Sequence, residues 1–309
     1  MSRVTTRISR REMMALTGLA LAGLPARAAW PAGGTASPFR IVFFTDVHAR
    51  TEWQTPRALE LASQAINAHR ADLVIAGGDL ITDGFQSAAE TVQPRWQVYL
   101  EMHRALAPRV EPVIGNHDLV AAIPEDGTAP SSDPRRQFRS AFSLDRTYRA
   151  VDAGGARIFL LDSIDVVGGE DKYHGRVGEA QLGWLSDELE RTDPATPIIL
   201  ATHLPLLTGF FQATRGAAEA APSNRVVVNN REVLELFEEH NLLLVLQGHL
   251  HVDEMLRWRG TTFITGGAVS GKWWRGPWHG TDAGYGVITI RADRVEWEYH
   301  GYGWKARRP

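Results

Sequence analysis

The sequence of 309 residues contains no cysteine. This absence excludes disulfide bonds, zinc sites built on thiolates and mechanisms that use a cysteine nucleophile. The sequence also lacks an apolar run of about 20 residues, the length that a helix needs to span a membrane. No internal repeat is present. We therefore predict a protein with a large folded core and without stable membrane insertion.

The N-terminal segment differs from the rest of the chain. Arg10 and Arg11 precede a mildly apolar stretch, and Ala26-Arg27-Ala28 fits the small-residue rule for signal cleavage. The pattern resembles a twin-arginine export signal, although Met-Met replaces the usual Phe-Leu after the arginine pair. We predict that residues 1–28 are a signal peptide cleaved near Ala28, that the twin-arginine export machinery is a partner, and that the mature protein is periplasmic or extracellular. The alternative is a disordered or helical N-terminus of a cytoplasmic protein.

A basic cluster is also missing. Residues 1–28 hold five basic residues and one acidic residue, so the remaining chain has 28 basic and 35 acidic residues and a net charge of −7. This excludes the positive surface that polymeric nucleic acid or an anionic membrane would require. Residues 29–38, rich in Ala, Gly and Pro, are predicted to be a linker before a single domain at 39–309, whose last part, 255–309, is rich in strands.

Strand and helix patterns alternate through the first two thirds of the chain. The predicted strands there are 39–45, 73–76, 110–114, 157–161, 198–201 and 242–246. The predicted helices are 58–68, 96–106, 179–189 and 230–239. A polar insertion occupies 120–140. The last third changes to short strands at 255–258, 261–265, 286–290 and 294–299, which suggests a second, more antiparallel sheet. We predict an α/β fold, a four-layer α/β/β/α sandwich of two mixed sheets with outer helices.

Five short motifs follow predicted strands and carry carboxylates, imidazoles and one amide. They are Thr45-Asp46-Val47-His48, Gly78-Asp79, Gly115-Asn116-His117-Asp118, His203 and Gly248-His249-Leu250-His251. These groups are typical ligands of divalent transition metals, and the motifs use five of the eleven histidines. Strand ends are where open α/β sheets place ligands, so we expect the side chains to converge without backbone contortion.

This ordered series resembles the calcineurin-like metallophosphoesterase superfamily, with a match from Phe39 to Val252. The resemblance implies a metallo-dependent phosphatase-like fold with two metal ions. It implies one ion held by Asp46, His48, Asp79 and His251, and a second held by Asp79, Asn116, His203 and His249. Nitrogen and oxygen ligands without sulfur suit divalent or mixed-valence Mn, Fe, Zn or Co.

The resemblance further implies hydrolysis of small phosphate esters by in-line attack of a hydroxide that bridges the two metals. His117 is then available to protonate the leaving oxygen. Asp118 either orients His117 or a ligand, or makes a structural turn contact. Thr82 stands where purple acid phosphatases have a tyrosine ligand, so an iron–tyrosinate centre is not expected. Asp83-Gly84 after the shared aspartate fits the phosphodiesterase-like branch. The alternatives are an exported phosphomonoesterase and a non-catalytic metal-binding scaffold of the same fold.

A glycine-rich loop with three tryptophans follows the predicted strand at 261–265. We predict that Trp273, Trp274 or Trp278 stacks on the organic group of a phosphodiester and that Lys272 or Arg275 meets its phosphate. The alternative is that the tryptophans pack against the edge of the second sheet. The natural substrate, the metal pair and the oligomeric state stay open.

Overall fold

The computed structural model describes residues 38–291 and 294–306. The predicted signal peptide, residues 1–28, and residues 29–37 of the predicted linker lie outside the described residues, so both stay predictions. Within the described ranges, no helix combines the length and the apolar character that crossing a membrane requires.

Strands and helices alternate in the first part of the described chain, and runs of consecutive strands follow at 149–175 and 242–301. The strands are β1 (Phe39–Phe44), β2 (Leu73–Ala76), β3 (Val110–Pro112), β4 (Arg149–Ala153), β5 (Ala156–Leu160), β6 (Ile164–Gly168), β7 (Lys172–Gly175), β8 (Ile198–Ala201), β9 (Leu242–Gln247), β10 (Glu254–Trp258), β11 (Thr261–Thr265), β12 (Gly284–Arg291) and β13 (Arg294–Gly301). The helices are α1 (Thr55–Ala68), α2 (Ala89–Ala105), α3 (Arg136–Phe142), α4 (Glu179–Glu190), α5 (Phe210–Arg215) and α6 (Asn230–Glu235). A short 3-10 turn, Asn116–Asp118, follows β3.

The first sheet has the strand order β13-β12-β1-β2-β3. Strands β1, β2 and β3 run parallel, with Phe43 opposite Ile75. Helices α1 and α2 connect them, because parallel neighbours need a crossover connection. Strand β12 pairs antiparallel with β1, with Ile41 opposite Ile288, and β13 pairs antiparallel with β12.

The second sheet has the strand order β10-β11-β9-β8-β5-β4. Its four inner strands run parallel, and β10 and β4 close the two edges as antiparallel strands. Strands β6 and β7 form a separate hairpin. In both sheets the parallel strands therefore direct their carboxyl ends to one edge, where the following loops meet.

Alternate residues of a strand face two different cores. Ile41 of β1 packs between the sheets with Ile199 and Leu244 of the second sheet. Its neighbour Val42 points the other way, into the core that the helices cover together with Leu59. Since strand side chains alternate, inner strands such as β1 and β9 are buried on both faces. The predicted α/β/β/α arrangement of two mixed sheets is confirmed.

The strands of the last third do not form a sheet of their own. The hairpin β10–β11 joins the second sheet beside β9, and the hairpin β12–β13 joins the first sheet beside β1. The prediction of a separate, more antiparallel second sheet is therefore wrong. Local patterns indicate a hairpin, but they do not state which sheet edge the hairpin extends.

Two helix boundaries differ clearly from the predicted ones. Helix α2 begins at Ala89 instead of Trp96, because Pro94 is accommodated inside the helix. Proline in a helix removes one hydrogen bond and crowds the preceding turn, yet this helix continues through Pro94. Helix α6 ends at Glu235, before the predicted end at 239.

Candidate metal centre

The metal-ligand residues predicted from the motifs converge where the carboxyl ends of the two sheets meet. Asp46 and His48 follow β1, Asp79 follows β2, Asn116 follows β3, His203 follows β8, and His249 and His251 follow β9. All are buried, with exposed fractions between 0% and 6%. The sheets thus bring residues more than 200 positions apart into one site.

The backbone reaches this arrangement through left-handed conformations. Asp46 has a φ of 54°, Asp79 of 52° and His249 of 71°. Such conformations cost roughly 1–3 kcal/mol each and persist where the surroundings fix them. Here the amide of Asp46 donates to the carbonyl of Gly78 at 2.9 Å, and the amide of His249 donates to the Asp46 carboxylate at 2.9 Å. The expectation of convergence without backbone contortion is therefore wrong.

Glycines in the motifs allow the loops to approach each other. A Cβ atom at Gly115 would lie 2.2 Å from the amide nitrogen of Asp79. One at Gly248 would lie 2.2 Å from the hydroxyl of Thr45 and 2.9 Å from the carboxylate of Asp46. Neither position has room for a side chain, so these glycines are required for the ligands to meet.

One group of potential metal ligands consists of Asp46, His48 and His251. The Asp46 carboxylate lies 3.1 Å from Nε2 of His251, and the Nε2 atoms of His48 and His251 are 3.2 Å apart. The ligand atoms of the group all lie within 4.8 Å of one another. This spacing suits one shared cation.

A second group consists of Asp79, His203 and His249. Oδ2 of Asp79 lies 3.2 Å from Nε2 of His203, which lies 3.3 Å from Nδ1 of His249. The same Oδ2 is 3.7 Å from Nε2 of His48 in the first group. Asp79 therefore stands between the two groups, the position of a carboxylate shared by two cations.

Backbone carbonyls fix the hydrogens of three of the histidines. Nδ1 of His203 donates to the carbonyl of Gly77 at 2.8 Å, and Nδ1 of His251 donates to that of Gly271 at 2.6 Å. Nε2 of His249 donates to the carbonyl of Asn224 at 3.1 Å. Since a carbonyl only accepts, the other ring nitrogen presents its lone pair to the centre. This is the protonation pattern of metal-ligating histidines.

Two buried oxygen atoms support the same conclusion. Oδ1 of Asp46 and Oδ1 of Asn116 have no hydrogen-bond partner within residues 38–291 and 294–306. Buried polar atoms are normally paired, and unpaired ones carry a free-energy cost. Both atoms belong to the predicted ligand set. The carboxylate, amide and imidazole groups of the site and these two unpaired oxygens therefore fit a pair of divalent metals.

Burial and mutual charge shift the pKa values of the cluster. Burial lowers the pKa of His203, but the carboxylates of Asp79 and Asp46 outweigh it and raise the value to about 9. Burial raises the pKa of Asp79, but His203 and His117 reverse the effect and hold it well below its usual range. Burial is the main reason that the pKa of His48 lies well below its usual value. Without a metal, the cluster thus holds its carboxylates ionised and a second proton on His203, and a bound cation would displace that proton because a ligating imidazole is neutral.

His117 lies beside the ligands and differs from them in exposure. Its side chain is 22% exposed, and its ring meets that of His48 edge-on at 4.7 Å between centroids. The amide of Asp83 donates to Nδ1 of His117 at 3.0 Å, so the hydrogen of the neutral ring is on Nε2. His117 also forms a close group with His48 and Asp79. This geometry suits a proton donor at the edge of the centre.

Asp118 has another position. Its Oδ1 accepts from the amides of Leu80 and Ile81 at 2.8 and 3.2 Å, and its Oδ2 accepts from the amide of Gly115 at 2.8 Å. Burial and the neighbouring Asp79 raise the pKa of Asp118 to about 8. These contacts agree with the structural alternative, in which Asp118 joins the two loops that carry Asp79 and Asn116.

The tryptophan-rich loop divides into a buried and an exposed part. Trp274 is 2% exposed, and its indole N–H donates to the carbonyl of His48 at 3.0 Å. This ring lies in the core beneath the centre, where a substrate cannot contact it. Burial of Trp274 agrees with the packing alternative for this residue.

Trp273 and Trp278 lie above the centre together with Lys272. Trp273 is 36% exposed, and its ring is 4.5 Å from that of His251 and 6.0 Å from that of His48. The rings of Trp273 and Trp278 are 6.2 Å apart, and the ammonium of Lys272 is 4.7 Å from the centroid of Trp278. We call these three residues the aromatic shelf.

Several groups outside the predicted ligand set support or border the centre. Thr45 donates its hydroxyl hydrogen to the Asp46 carboxylate at 2.7 Å, and Ser270 donates to the Asp46 carbonyl at 2.8 Å. The guanidinium of Arg225 lies 3.4 Å from Nε2 of His249. Arg225 is 24 positions from His249 and follows no strand, so no local pattern indicates it. Thr82 accepts from Arg50 at 3.0 Å.

Comparison with known proteins agrees with this geometry. A model of the calcineurin-like phosphoesterase family matches residues 39–253. No curated protein sequence matches the chain. A dimetal phosphatase from Danio rerio is similar over 86% of this chain and 97% of that chain, with a TM-score of 0.63 and 18% identity.

Two further solved structures share the fold. A purple acid phosphatase from yellow lupin (Lupinus luteus) is similar over 86% of this chain and 52% of that chain, with a TM-score of 0.54 and 15% identity. GAP50, the anchor in the inner membrane complex of Plasmodium, is similar over 88% of both chains, with a TM-score of 0.55 and 14% identity. Because the family model spans well over half of the sequence and its motifs meet in one buried centre, the chain belongs to the calcineurin-like phosphoesterase family.

Proposed function

We propose that this protein hydrolyses phosphate esters at two transition-metal ions and prefers phosphodiesters to phosphomonoesters. The observation that carries the proposal is the pair of buried ligand groups with Asp79 between them and His117 beside them. Asp46, His48, Asp79 and His251 would hold one metal, and Asp79, Asn116, His203 and His249 the other. Bound divalent metals supply Lewis-acid charge to phosphoryl oxygens and make water a nucleophile at neutral pH.

His117 has the role of proton donor in this proposal. Its Nδ1 lies 3.0 Å from the amide nitrogen of Asp83 and 3.9 Å from a carboxylate oxygen of the same residue. An alkoxide is a poor leaving group, so the imidazolium form of His117 would assist departure by giving its Nε2 proton to the oxygen, which leaves a neutral ring with its hydrogen on Nδ1, on the side of the Asp83 carboxylate. Because the side chain of His117 is partly exposed whereas the ligands are buried, it can reach an ester oxygen that stands above the centre.

The aromatic shelf supports the preference for diesters. Trp273 exposes a large apolar ring within 4.5 Å of a metal-ligand histidine, a position next to any phosphate bound at the centre. Aromatic rings bind planar organic groups by stacking at low entropic cost. A diester has an organic group on each side of phosphorus, so one of its groups can lie on the shelf while the other leaves.

The test compares bis(4-nitrophenyl) phosphate with 4-nitrophenyl phosphate on the metal-loaded protein. We expect a higher kcat/KM for the diester, and loss of both activities when the metals are removed by chelation and their return on reloading. A higher kcat/KM for the monoester would replace the diester proposal with a phosphomonoesterase. Hydrolysis of neither ester by protein that holds two metals per chain would favour a non-catalytic scaffold.

A further inference from the structure

The loop from 216 to 229, between α5 and α6, reaches over the second ligand group. It is attached to the end of β7, because the amide of Gly175 donates to the carbonyl of Ser223 at 2.8 Å and the amide of Val228 donates to that of Gly175 at 2.7 Å. Between these attachments lie Asn224, whose carbonyl accepts from His249, and Arg225. The backbone of Arg225 is thereby fixed beside the metal centre.

The guanidinium of Arg225 has no acceptor in the described chain. Its Nη1 lies 3.4 Å from Nε2 of His249, but that nitrogen carries a hydrogen, which it donates to Asn224. No carboxylate lies within 4.0 Å of this guanidinium among residues 38–291 and 294–306. Arg135 and Arg149, by contrast, each bind a carboxylate at 2.6 Å. Arg225 therefore places an exposed guanidinium without a carboxylate partner in the described chain at the edge of the centre.

An anion would give this guanidinium a favourable partner. Next to an imidazole that holds a metal, Arg225 would experience the positive charge of the cations, and like charges at this range repel. A phosphate group would reverse the sign of the interaction, because arginine presents parallel N–H groups that match its oxygens. The position of Arg225 therefore suits an anionic ligand at the centre.

Arg225 and the aromatic shelf lie at different sides of the centre. Trp273 contacts His251 and approaches His48, both members of the first ligand group, and the ring of His117 also meets His48. Arg225 adjoins His249 of the second group. A leaving group that takes its proton from His117 would thus lie on the side of the shelf, and the retained phosphoryl group would face Arg225.

We propose that Arg225 binds the non-bridging oxygens of the retained phosphoryl group, in the substrate and in the phosphate product, on the His249 side of the centre. This inference rests on the proposed function, since it assumes a phosphate at the metals. Arg225 is accordingly a binding residue that orients the substrate with its leaving group toward His117 and Trp273.

The experiment measures binding of inorganic phosphate to the metal-loaded protein by calorimetry, in the wild type and in Arg225→Met. Loss of a charge-assisted hydrogen bond corresponds to about 10- to 100-fold weaker binding. Arg215→Met is the matched control, because Arg215 is an exposed arginine at the end of α5, whose guanidinium lies over Phe211 at 5.1 Å. We expect this control to bind phosphate as the wild type does. Metal content and Tm are measured for every variant.

The outcomes separate this inference from the proposed function. Phosphate binding by Arg225→Met within twofold of the wild type, with ester hydrolysis intact, would overturn the role of Arg225 alone. A wild type that hydrolyses no ester but binds phosphate through Arg225 would overturn the proposed function and retain the anion site. If the methionine variant loses its metals or its stability, Arg225→Lys decides, since it keeps the charge. If Arg225→Lys keeps its metals and binds phosphate measurably more weakly than the wild type, the result supports the proposal. If Arg225→Lys loses its metals or its stability, as the methionine variant did, Arg225 has a structural role and the proposal is overturned.

Discussion

The metal centre and the surface above it differ in how firmly the protein holds their side chains. In the centre, Asp46 and His203 are completely buried, and three ligand histidines are fixed by backbone carbonyls. Above the centre, Trp273 is 36% exposed, and the guanidinium of Arg225 has the ring of His249 as its polar neighbour in the described chain. The centre is preorganised by the fold, whereas the surface above it is open to a ligand.

This difference separates chemistry from recognition. Preorganised groups stabilise charge in a transition state without reorganising, which makes them the larger contribution to rate. Exposed rings and cations act mainly on the affinity and orientation of the substrate. We therefore expect substitutions in the centre to abolish turnover, and substitutions on the surface above it to change the choice of substrate with the metals still bound.

The largest effect is expected for Asp79→Asn. Asp79 stands between both ligand groups, so the substitution weakens both sites at once. Metals contribute several kcal/mol of transition-state stabilisation, and at about 1.4 kcal/mol per factor of ten the loss in kcat/KM is on the order of 10³-fold or more. Metal content by mass spectrometry and hydrolysis of the diester check this expectation. The exposed Asp145, changed to Asn, is the control and should retain both.

The second effect is expected for His117→Ala, which removes the proton on Nε2 but no residue of the predicted ligand set. Turnover of esters with alkoxide leaving groups should fall by about 10²–10⁴-fold, and turnover of esters with acidic phenols should fall less. Metal content should stay that of the wild type. His174→Ala is the control, because His174 is a partly exposed histidine that pairs with Asp171 at 3.2 Å. Equal losses for both classes of leaving group would contradict the proton-donor role.

Motif residues were predictable because each ligand lies in the loop just after a strand. The sequence places Asp46, Asp79 and His203 just after apolar runs, and parallel strands direct such positions to one edge. The means of convergence was not predictable, since left-handed backbone at Asp46 and His249 depends on hydrogen bonds between loops from different sheets. The α/β/β/α layers followed from alternation of strand and helix patterns.

Residues that reach the centre from loops were not predictable. Arg225 belongs to a segment without periodicity, and its position depends on the attachment of that segment to Gly175 of β7. The two hairpins of the last third have equivalent local patterns, yet β10–β11 and β12–β13 extend different sheets. Neighbouring tryptophans likewise look alike in sequence, although one is buried and the other is exposed. Only long-range packing distinguishes these cases.

The smallest effect on activity is expected for Trp273. Its comparison with the buried Trp274 is the sharpest test of the difference between the metal centre and the surface above it. Trp273→Ala should retain stability and metals, and should lower kcat/KM for aryl diesters by about threefold to tenfold, because it removes an exposed stacking ring. Trp274→Ala should destabilise the protein by about 3–5 kcal/mol, a fall in Tm on the order of 10 °C, since it leaves a cavity and frees the carbonyl of His48. Thermal unfolding and diester kinetics on both variants check the pair. A similar fall in Tm for both would show that the shelf is part of the packed core, and the preference for diesters would then lose its structural support.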